Sequence, residues 1–365
     1  MAMTAKRMYA QPLSECKNMI LANGAKQTVL LQGHMGIGKS ALLSALAEEL
    51  PNHIPCYFDC TTKDLGDITI PDLRHLDDGS GFVRYLTNEE LGAHNNQPII
   101  LMVDEYLKSN PSVKLSLTRV MYERKIGSYT LHPDSIIFAT TNLGEEGVGD
   151  LLAAHGGNRL TVVEVAKPKP DEWIEWGISN GIDPIVLAWA RNNDKAFADF
   201  RDVQEPDEND FIYHPRSQRA AFVTPRSLET ASDWFKVRDQ ISDGALQSAL
   251  IGCIGESAAA DIMAHLRLAD QLPTWDSIIS DPDNAIVPTS PGAVMMVVYK
   301  ALSSLDRKCV NAWMTYMQRL AQEAQAVFVM QARQPNYKQR DILMTNENMR
   351  DWFLSNNHLF TADKR

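Results

Sequence analysis

Five short apolar runs punctuate the first half of the chain: TVLLQ (28–32), HIPCYFDC (53–60), PIILMVDE (98–105), DSIIFATTN (134–142) and LTVVEVA (160–166). Polar or helix-forming stretches separate them. Near-continuous apolar runs alternating with helices predict buried strands of a parallel α/β sheet. The pattern changes at KPKPDEW (167–173). Beyond Pro170 the chain reads as helices, in EWIEWGIS, PIVLAWARN, PRSLETASDWFKVRD and ALQSALIGCIGESAAADIMAHLRL, and no strand stands out. An acidic stretch, RDVQEPDEND (201–210), interrupts this part and reads as an exposed loop. NAWMTYMQRLAQEAQAVFVMQA is again helical, before a polar end rich in Asn and Gln. The expected organisation is an α/β domain over residues 1–167, an all-helical lid over 168–305, and a helical, polar C-terminal tail over 306–365.

The first strand carries the most specific chemistry. TVLLQ runs into GHMGIGKS, and a helix-forming segment, ALLSALAEEL, follows and stops at Pro51. The loop fits G-x-x-x-x-G-K-[ST], with Gly33, Gly38, Lys39 and Ser40 at the fixed positions. Glycines let successive N–H groups of Gly33, His34, Met35, Gly36, Ile37, Gly38 and Ala41 curl around phosphate oxygens. Lys39 reaches the β- and γ-phosphates, and the Ser40 hydroxyl ligates Mg²⁺. The expected ligand is therefore Mg²⁺-ATP on a P-loop domain with five parallel strands.

Two more strand ends fit the same chemistry. In LMVDEY, Asp104 and Glu105 stand at the carboxyl end of a buried strand, where α/β ligands bind. Asp104 belongs in the Mg²⁺ shell, and Glu105 orients and polarises the attacking water. Asn142, at the end of ATTN, is placed to hold that water or the γ-phosphate, although Asn is also ordinary turn chemistry at such a junction. Arg159, in HGGNRL before the fifth strand, can point into a neighbouring subunit's site. Arg226, in TPRSLE, follows a proline suited to a helix start and can cover the γ-phosphate of its own subunit. A surface salt bridge fits either arginine equally.

Bulk properties narrow the rest. A 365-residue chain with a net charge of −11 lacks the overall basic character of a broad nucleic-acid binder, so nucleic acid is not the expected partner. Its five cysteines include Cys56 and Cys60, four apart, with no Cys/His set to complete a zinc pattern. A reduced, cytoplasmic protein without a membrane span or an apolar signal core is expected.

As a set, these motifs resemble the AAA+ ATPases, and within them the MoxR-like group. GHMGIGKS is similar to Walker A, IILMVDE to Walker B and Asn142 to sensor 1. Arg159 resembles the arginine finger, although Asn158-Arg159-Leu160 replaces the group's usual Asp-Arg-Phe, and Arg226 resembles sensor 2. NPSVKLSLTRVMYERKIGSYTLHPDSIIFATTN is similar to the segment between Walker B and sensor 1. Residues 61–97, with seven acidic and three basic residues, resemble the helix-2 insert; Phe82 and Tyr85 are its candidate contact residues, or simply pack the insert. The resemblance covers about residues 20–240. It implies a homo-oligomer, a hexameric ring or open spiral, that remodels or activates a protein client, often beside a partner with a von Willebrand factor A domain. The alternative is a nucleic-acid-associated motor or loader.

Overall fold

In chain order the described strands are β1 (Val29–Gln32), β2 (Ile54–Asp59), β3 (Thr69–His75), β4 (Gly81–Thr87), β5 (Ile99–Asp104), β6 (Lys125–Ile126), β7 (Tyr129–Thr130), β8 (Ile136–Thr141) and β9 (Thr161–Glu164). These come from a computed structural model that describes residues 9–144, 159–217, 219–269 and 272–356. The five apolar runs form one all-parallel sheet, in the order β2-β5-β8-β1-β9. Registers Gln32↔Thr141, Val103↔Ala139 and Asp59↔Asp104 bring the carboxyl ends of β1, β8, β5 and β2 level along one edge.

The middle of the sheet is apolar on both faces, as a parallel sheet covered by helices requires. Along β5, Ile99, Leu101 and Val103 join one core, with Phe58 and Ile137. Ile100 and Met102 join the other, with Leu31 and Phe138. The first core is closed by α3 (Pro111–Glu123), through Val113, Leu117, Val120 and Met121. The second is closed by α1 (Leu13–Asn23), through Cys16 and Ile20, and by α2 (Leu42–Glu49), through Leu42 and Leu46. Full burial of each such side chain contributes about 1.5–3 kcal/mol. The reading of all five runs as buried needs correction at the edges. β2 alternates between buried and exposed, with Tyr57 and Pro55 outward, and β9 exposes Thr161 and Val162, because each has a neighbour on one side only.

The connection between β2 and β5 holds a hairpin that the sequence pattern did not reveal. β3 and β4 pair antiparallel, with Ile70, Leu73, Phe82, Val83 and Tyr85 all exposed. β6 and β7 form a second, shorter hairpin after α3. The two are tied. Tyr85 N–H donates to Ser128 Oγ (2.9 Å), and Ser128 N–H donates to the Tyr85 carbonyl (3.1 Å). The Arg84 guanidinium lies 5.2 Å from the centre of the Tyr129 ring.

Contacts divide the chain into two compact units, within residues 1–168 and 169–365. The described part of the second unit is helical: α4 (Pro170–Ser179), α5 (Pro184–Arg191), α6 (Pro225–Lys236), α7 (Asp243–Ile254), α8 (Glu256–Ala269), α9 (Trp275–Ser280), α10 (Pro291–Ser304), α11 (Val310–Met317), α12 (Gln322–Ala332), α13 (Arg340–Met344) and α14 (Glu347–Ser355). The long apolar stretch around residue 255 breaks into α7 and α8 at Gly255, whose φ of 86° suits glycine. Trp189, fully buried on α5, donates its Nε1 hydrogen to Asp261 (2.6 Å). The acidic stretch is less of an excursion than its composition suggests. Arg219 donates to the carbonyls of Pro206 (2.8 Å), Asn209 (2.8 Å) and Ile212 (2.9 Å), and Asn209 is buried. Chain beyond residue 305 packs in the same unit: α12 lies against α10, and Tyr337 donates to the Leu302 carbonyl (2.8 Å).

The tie between hairpins gives a test. Gly127 has φ 56°, and a Cβ there would lie 2.8 Å from the Tyr85 carbonyl oxygen. Gly127→Ala is expected to lose about 1–3 kcal/mol through the strained backbone. Hydrogen exchange of residues 69–87 should quicken while that of β5 and β8 stays slow. Unchanged exchange in the hairpin would show that the tie does not hold it.

Candidate functional site

β1 delivers the chain to the loop from the centre of the sheet. Gly33 N–H donates to the Thr141 carbonyl (3.2 Å), and a Cβ on Gly33 would meet Val165 Cβ and Ile37 Cδ1, each at 3.0 Å. Gly36 and Gly38 take φ of 70° and 97°, the left-handed region that glycine enters at little cost. Ile37 anchors the loop in the core between them. His34 is buried, Met35 and Gly36 are partly exposed, and Lys39, Ser40 and Ala41 form a 3₁₀ turn that leads into α2.

Lys39 is only 7 % exposed. Its amine donates to the carbonyls of Gly33 (2.8 Å) and His34 (2.7 Å) and to Asn142 Oδ1 (2.9 Å). These three acceptors are neutral dipoles at the mouth of the loop. The other end of the same amide, Asn142 Nδ2, donates to Glu105 Oε1 (2.9 Å). Asn142 is 6 % exposed and follows the last residue of β8.

Asp104 ends β5 and is crowded with donors. Tyr57 OH donates to Oδ2 (2.9 Å), and Ser40 Oγ reaches the same oxygen at 3.5 Å, the outer limit of a hydrogen bond. Thr140 Oγ1 and the Glu105 N–H donate to Oδ1. Glu105 itself takes φ 51°, uncommon for a residue with a side chain. Its backbone therefore leaves the strand sharply and turns the carboxylate toward Asn142. Beside this group, burial and the Asp59, Asp104 and Glu105 carboxylates push the Cys60 thiol well above its ordinary range, so it stays neutral.

Hydroxyl and carboxylate oxygens at Ser40 and Asp104 are hard donors of the kind Mg²⁺ takes, with phosphate and water completing its shell. Among the described residues no cluster of three or more His, Cys, Asp or Glu could hold a metal by protein ligands alone. The glycine conformations and the buried amine fit a triphosphate in the loop, and Ser40 and Asp104 are the residues that would hold Mg²⁺.

The arginines are spread out. Arg159 is exposed just before β9, its guanidinium 5.4 Å from the centre of the Tyr122 ring on α3. Its neighbour Asn158 lies outside the described residues. Arg119 pairs with Glu123 (2.7 Å). Arg124 is committed to structure: it donates to the Gly24 carbonyl (3.0 Å), and burial lowers its pKa to about 10. Arg226 belongs to the second unit, exposed in the first turn of α6, where Thr224 and Ser227 cap each other's backbone N–H. Tyr57 and Lys108, whose amine lies 3.1 Å from Glu105 Oε2, were not singled out by sequence reasoning. A tyrosine in an otherwise apolar run was the available signal for the first.

Strand order and loop chemistry together define a P-loop α/β domain followed by a helical region. No family model matches the sequence, and no curated protein does. Among solved structures, a point mutant of Thermotoga maritima RuvB is 17 % identical, covering 89 % of this chain and 88 % of that chain, with a TM-score of 0.38. NtrX from Brucella abortus, in complex with ADP, is 14 % identical, covering 87 % of this chain and 65 % of that chain, with a TM-score of 0.39. Both likenesses are distant. No described helix is long and apolar enough to cross a membrane.

Asn142 joins two charged groups, so its loss should be felt in stability. Asn142→Ala removes one acceptor from Lys39 and the amide donor from Glu105. About 1–3 kcal/mol of unfolding free energy is expected to go. Urea denaturation measures it; a wild-type midpoint would mean that water replaces the amide at no cost.

Proposed function

We propose that the chain is an ATP-hydrolysing AAA+ protein of the MoxR-like kind, working as a homo-oligomeric ring or open spiral, of six subunits by family resemblance, and remodelling or activating a protein client. The observation that carries this reading is the run of contacts from Lys39 through Asn142 to Glu105. It sets a cation for phosphate and a carboxylate for water at 2.9 Å from the two ends of one amide. Such an arrangement suits attack of water on a γ-phosphate, in which catalysis is positioning and charge stabilisation.

In this mechanism Lys39 exchanges its loop carbonyls for β- and γ-phosphate oxygens. Ser40 and Asp104 would hold Mg²⁺, which would supply neutralising charge on the phosphates. Tyr57 and Thr140 keep the Asp104 carboxylate oriented by donating to it. Glu105 orients the water, and Asn142 fixes Glu105 and the γ-phosphate relative to each other. Arg159, exposed and outside its own loop, is the finger we assign to a neighbouring subunit's nucleotide. Arg226 is assigned to the nucleotide of its own subunit. The exposed apolar side chains of the β3–β4 hairpin, Leu73 and Phe82 among them, support contact with a protein client. A von Willebrand factor A-domain partner belongs to the same proposal.

One observation favours a second reading, a nucleic-acid motor. Arg74, His75 and Arg84 line a common cavity of about 650 Å³ at the hairpin, with Phe82 beside them. Arginines with an aromatic platform suit a single strand. Salt-sensitive stimulation of ATP hydrolysis by single-stranded DNA would favour this reading over the protein client.

Two variants separate binding from chemistry. Lys39→Ala is expected to lose tight ATP binding by calorimetry, because the loop loses its mobile cation. Glu105→Gln is expected to bind ATP normally and lose most turnover. Hydrolysis by Glu105→Gln at the wild-type rate would remove the water-positioning role.

Mixing tests the ring. Arg159→Ala should bind ATP and lose about 10³–10⁵ in rate, as removal of a finger does. Added Lys39→Ala subunits, which still carry Arg159, should restore part of that rate, whereas Arg226→Ala should gain nothing from them. Rescue of Arg226→Ala alone would exchange the two roles.

A further inference from the structure

Arg159 reaches the surface on a scaffold that also brings an aromatic ring to it. Thr28, just before β1 and 1 % exposed, joins two segments far apart in the chain. Its hydroxyl donates to the Met121 carbonyl near the end of α3 (2.9 Å), and its own carbonyl accepts from the Thr161 N–H at the start of β9 (3.0 Å). Met121 and Leu160 are buried in one core, so the residues beside them, Tyr122 and Arg159, emerge next to each other. Arg124 fixes the end of α3 again: its N–H donates to the Val120 carbonyl (3.0 Å) and its guanidinium to the Gly24 carbonyl (3.0 Å). On this footing the Arg159 guanidinium lies 5.4 Å from the centre of the Tyr122 ring, within reach of a cation–π contact. The ring is 60 % exposed, so core packing does not account for it.

We propose that Tyr122 is a positioning residue for Arg159: its ring pre-orders the guanidinium that Arg159 offers to the nucleotide of a second copy of this chain. This rests on the finger role assigned to Arg159 above. A long arginine loses rotamer freedom when it docks on a phosphate, and order imposed beforehand lowers that loss. The ring's advantage over a carboxylate is chemical. A carboxylate would accept the guanidinium N–H groups and offset the charge, as Glu123 does for Arg119 (2.7 Å). The face of a ring attracts the cation through its quadrupole and spends none of those donors on a strong hydrogen bond. They are left for phosphate oxygens, with which charge-assisted bonds are strong. Among the described residues no carboxylate pairs with Arg159.

The test uses the full chain, at concentrations where turnover per subunit no longer rises. Tyr122→Leu keeps apolar bulk and removes the ring. Its kcat is expected to fall about two- to fivefold, the worth of an exposed cation–π contact, with KM for ATP and sedimentation unchanged. Tyr122→Phe keeps the ring and should return most of that rate. In the Arg159→Ala background, followed by single turnover, Tyr122→Leu should cost nothing more. Lys39→Ala subunits carry both Tyr122 and Arg159, and should restore Tyr122→Leu when mixed with it. A merely structural role would slow both backgrounds alike and would not be repaired by a neighbour. A Tyr122→Leu kcat equal to that of the wild type would overturn the proposal. So would an equal loss in Tyr122→Phe, the same fold loss without Arg159, or Tyr122→Leu chains that no longer assemble, since the ring would then be interface and not support. Arg159→Ala turning over at the wild-type rate defeats the finger assignment itself, whereas a slow Arg159→Ala beside an unaffected Tyr122→Leu defeats only the role of Tyr122.

Discussion

Everything at the site depends on the register of β1 against β8. With Gln32 opposite Thr141, the loop that leaves β1 meets the residue that follows β8, and Lys39 finds Asn142. A slip of one residue would reverse every side chain in β1 between the two cores and carry the loop away from the amide. The register is strongly specified because Leu30 faces one core while Val29 and Leu31 face the other. Packing on two faces thus sets a distance between two polar atoms at the sheet's edge.

The same edge concentrates donors and acceptors from strands far apart in sequence. Asp104 collects hydroxyls from Tyr57 on β2, Thr140 on β8 and Ser40 after the loop. None of these strands is adjacent to all the others, yet their level carboxyl ends put the side chains within reach. A carboxylate with these three hydroxyls and a backbone N–H around it is held in one orientation, as a ligand to a hard cation must be.

What the sequence made legible is what is local. The loop, Asp104, Glu105 and Asn142 each stand at a fixed offset from an apolar run, and the five runs predict the sheet. Tyr57 and Lys108 were not legible for different reasons. Tyr57 matters because β2 lies beside β5, a neighbourhood that no single segment encodes. Lys108 meets Glu105 because of the 3₁₀ turn Tyr106–Lys108, which leaves no periodic trace over three residues. The β3–β4 hairpin was hidden because both its faces carry exposed apolar residues, Leu73, Val83 and Tyr85 on one and Ile70, Phe82 and Leu86 beside Asp72, Arg74 and Arg84 on the other, so no apolar–polar alternation marks it. Arg159 and Arg226 stay proposals, since a role across subunits or across units is not a property of one stretch of chain.

Each margin of the parallel sheet carries a feature that interrupts further pairing. On β2, Ile54 donates inward to the Pro98 carbonyl, so the next residue, Pro55, turns its missing N–H toward the open side. On β9, Gln11 lies along the margin, donating to the Glu164 carbonyl (2.9 Å) and accepting from the Ala166 N–H (2.8 Å). A neighbouring copy therefore meets a proline at one end of the sheet and a single occupied bridge at the other. These two features work against continuation of the parallel sheet from one copy to the next, the route that leads to fibres.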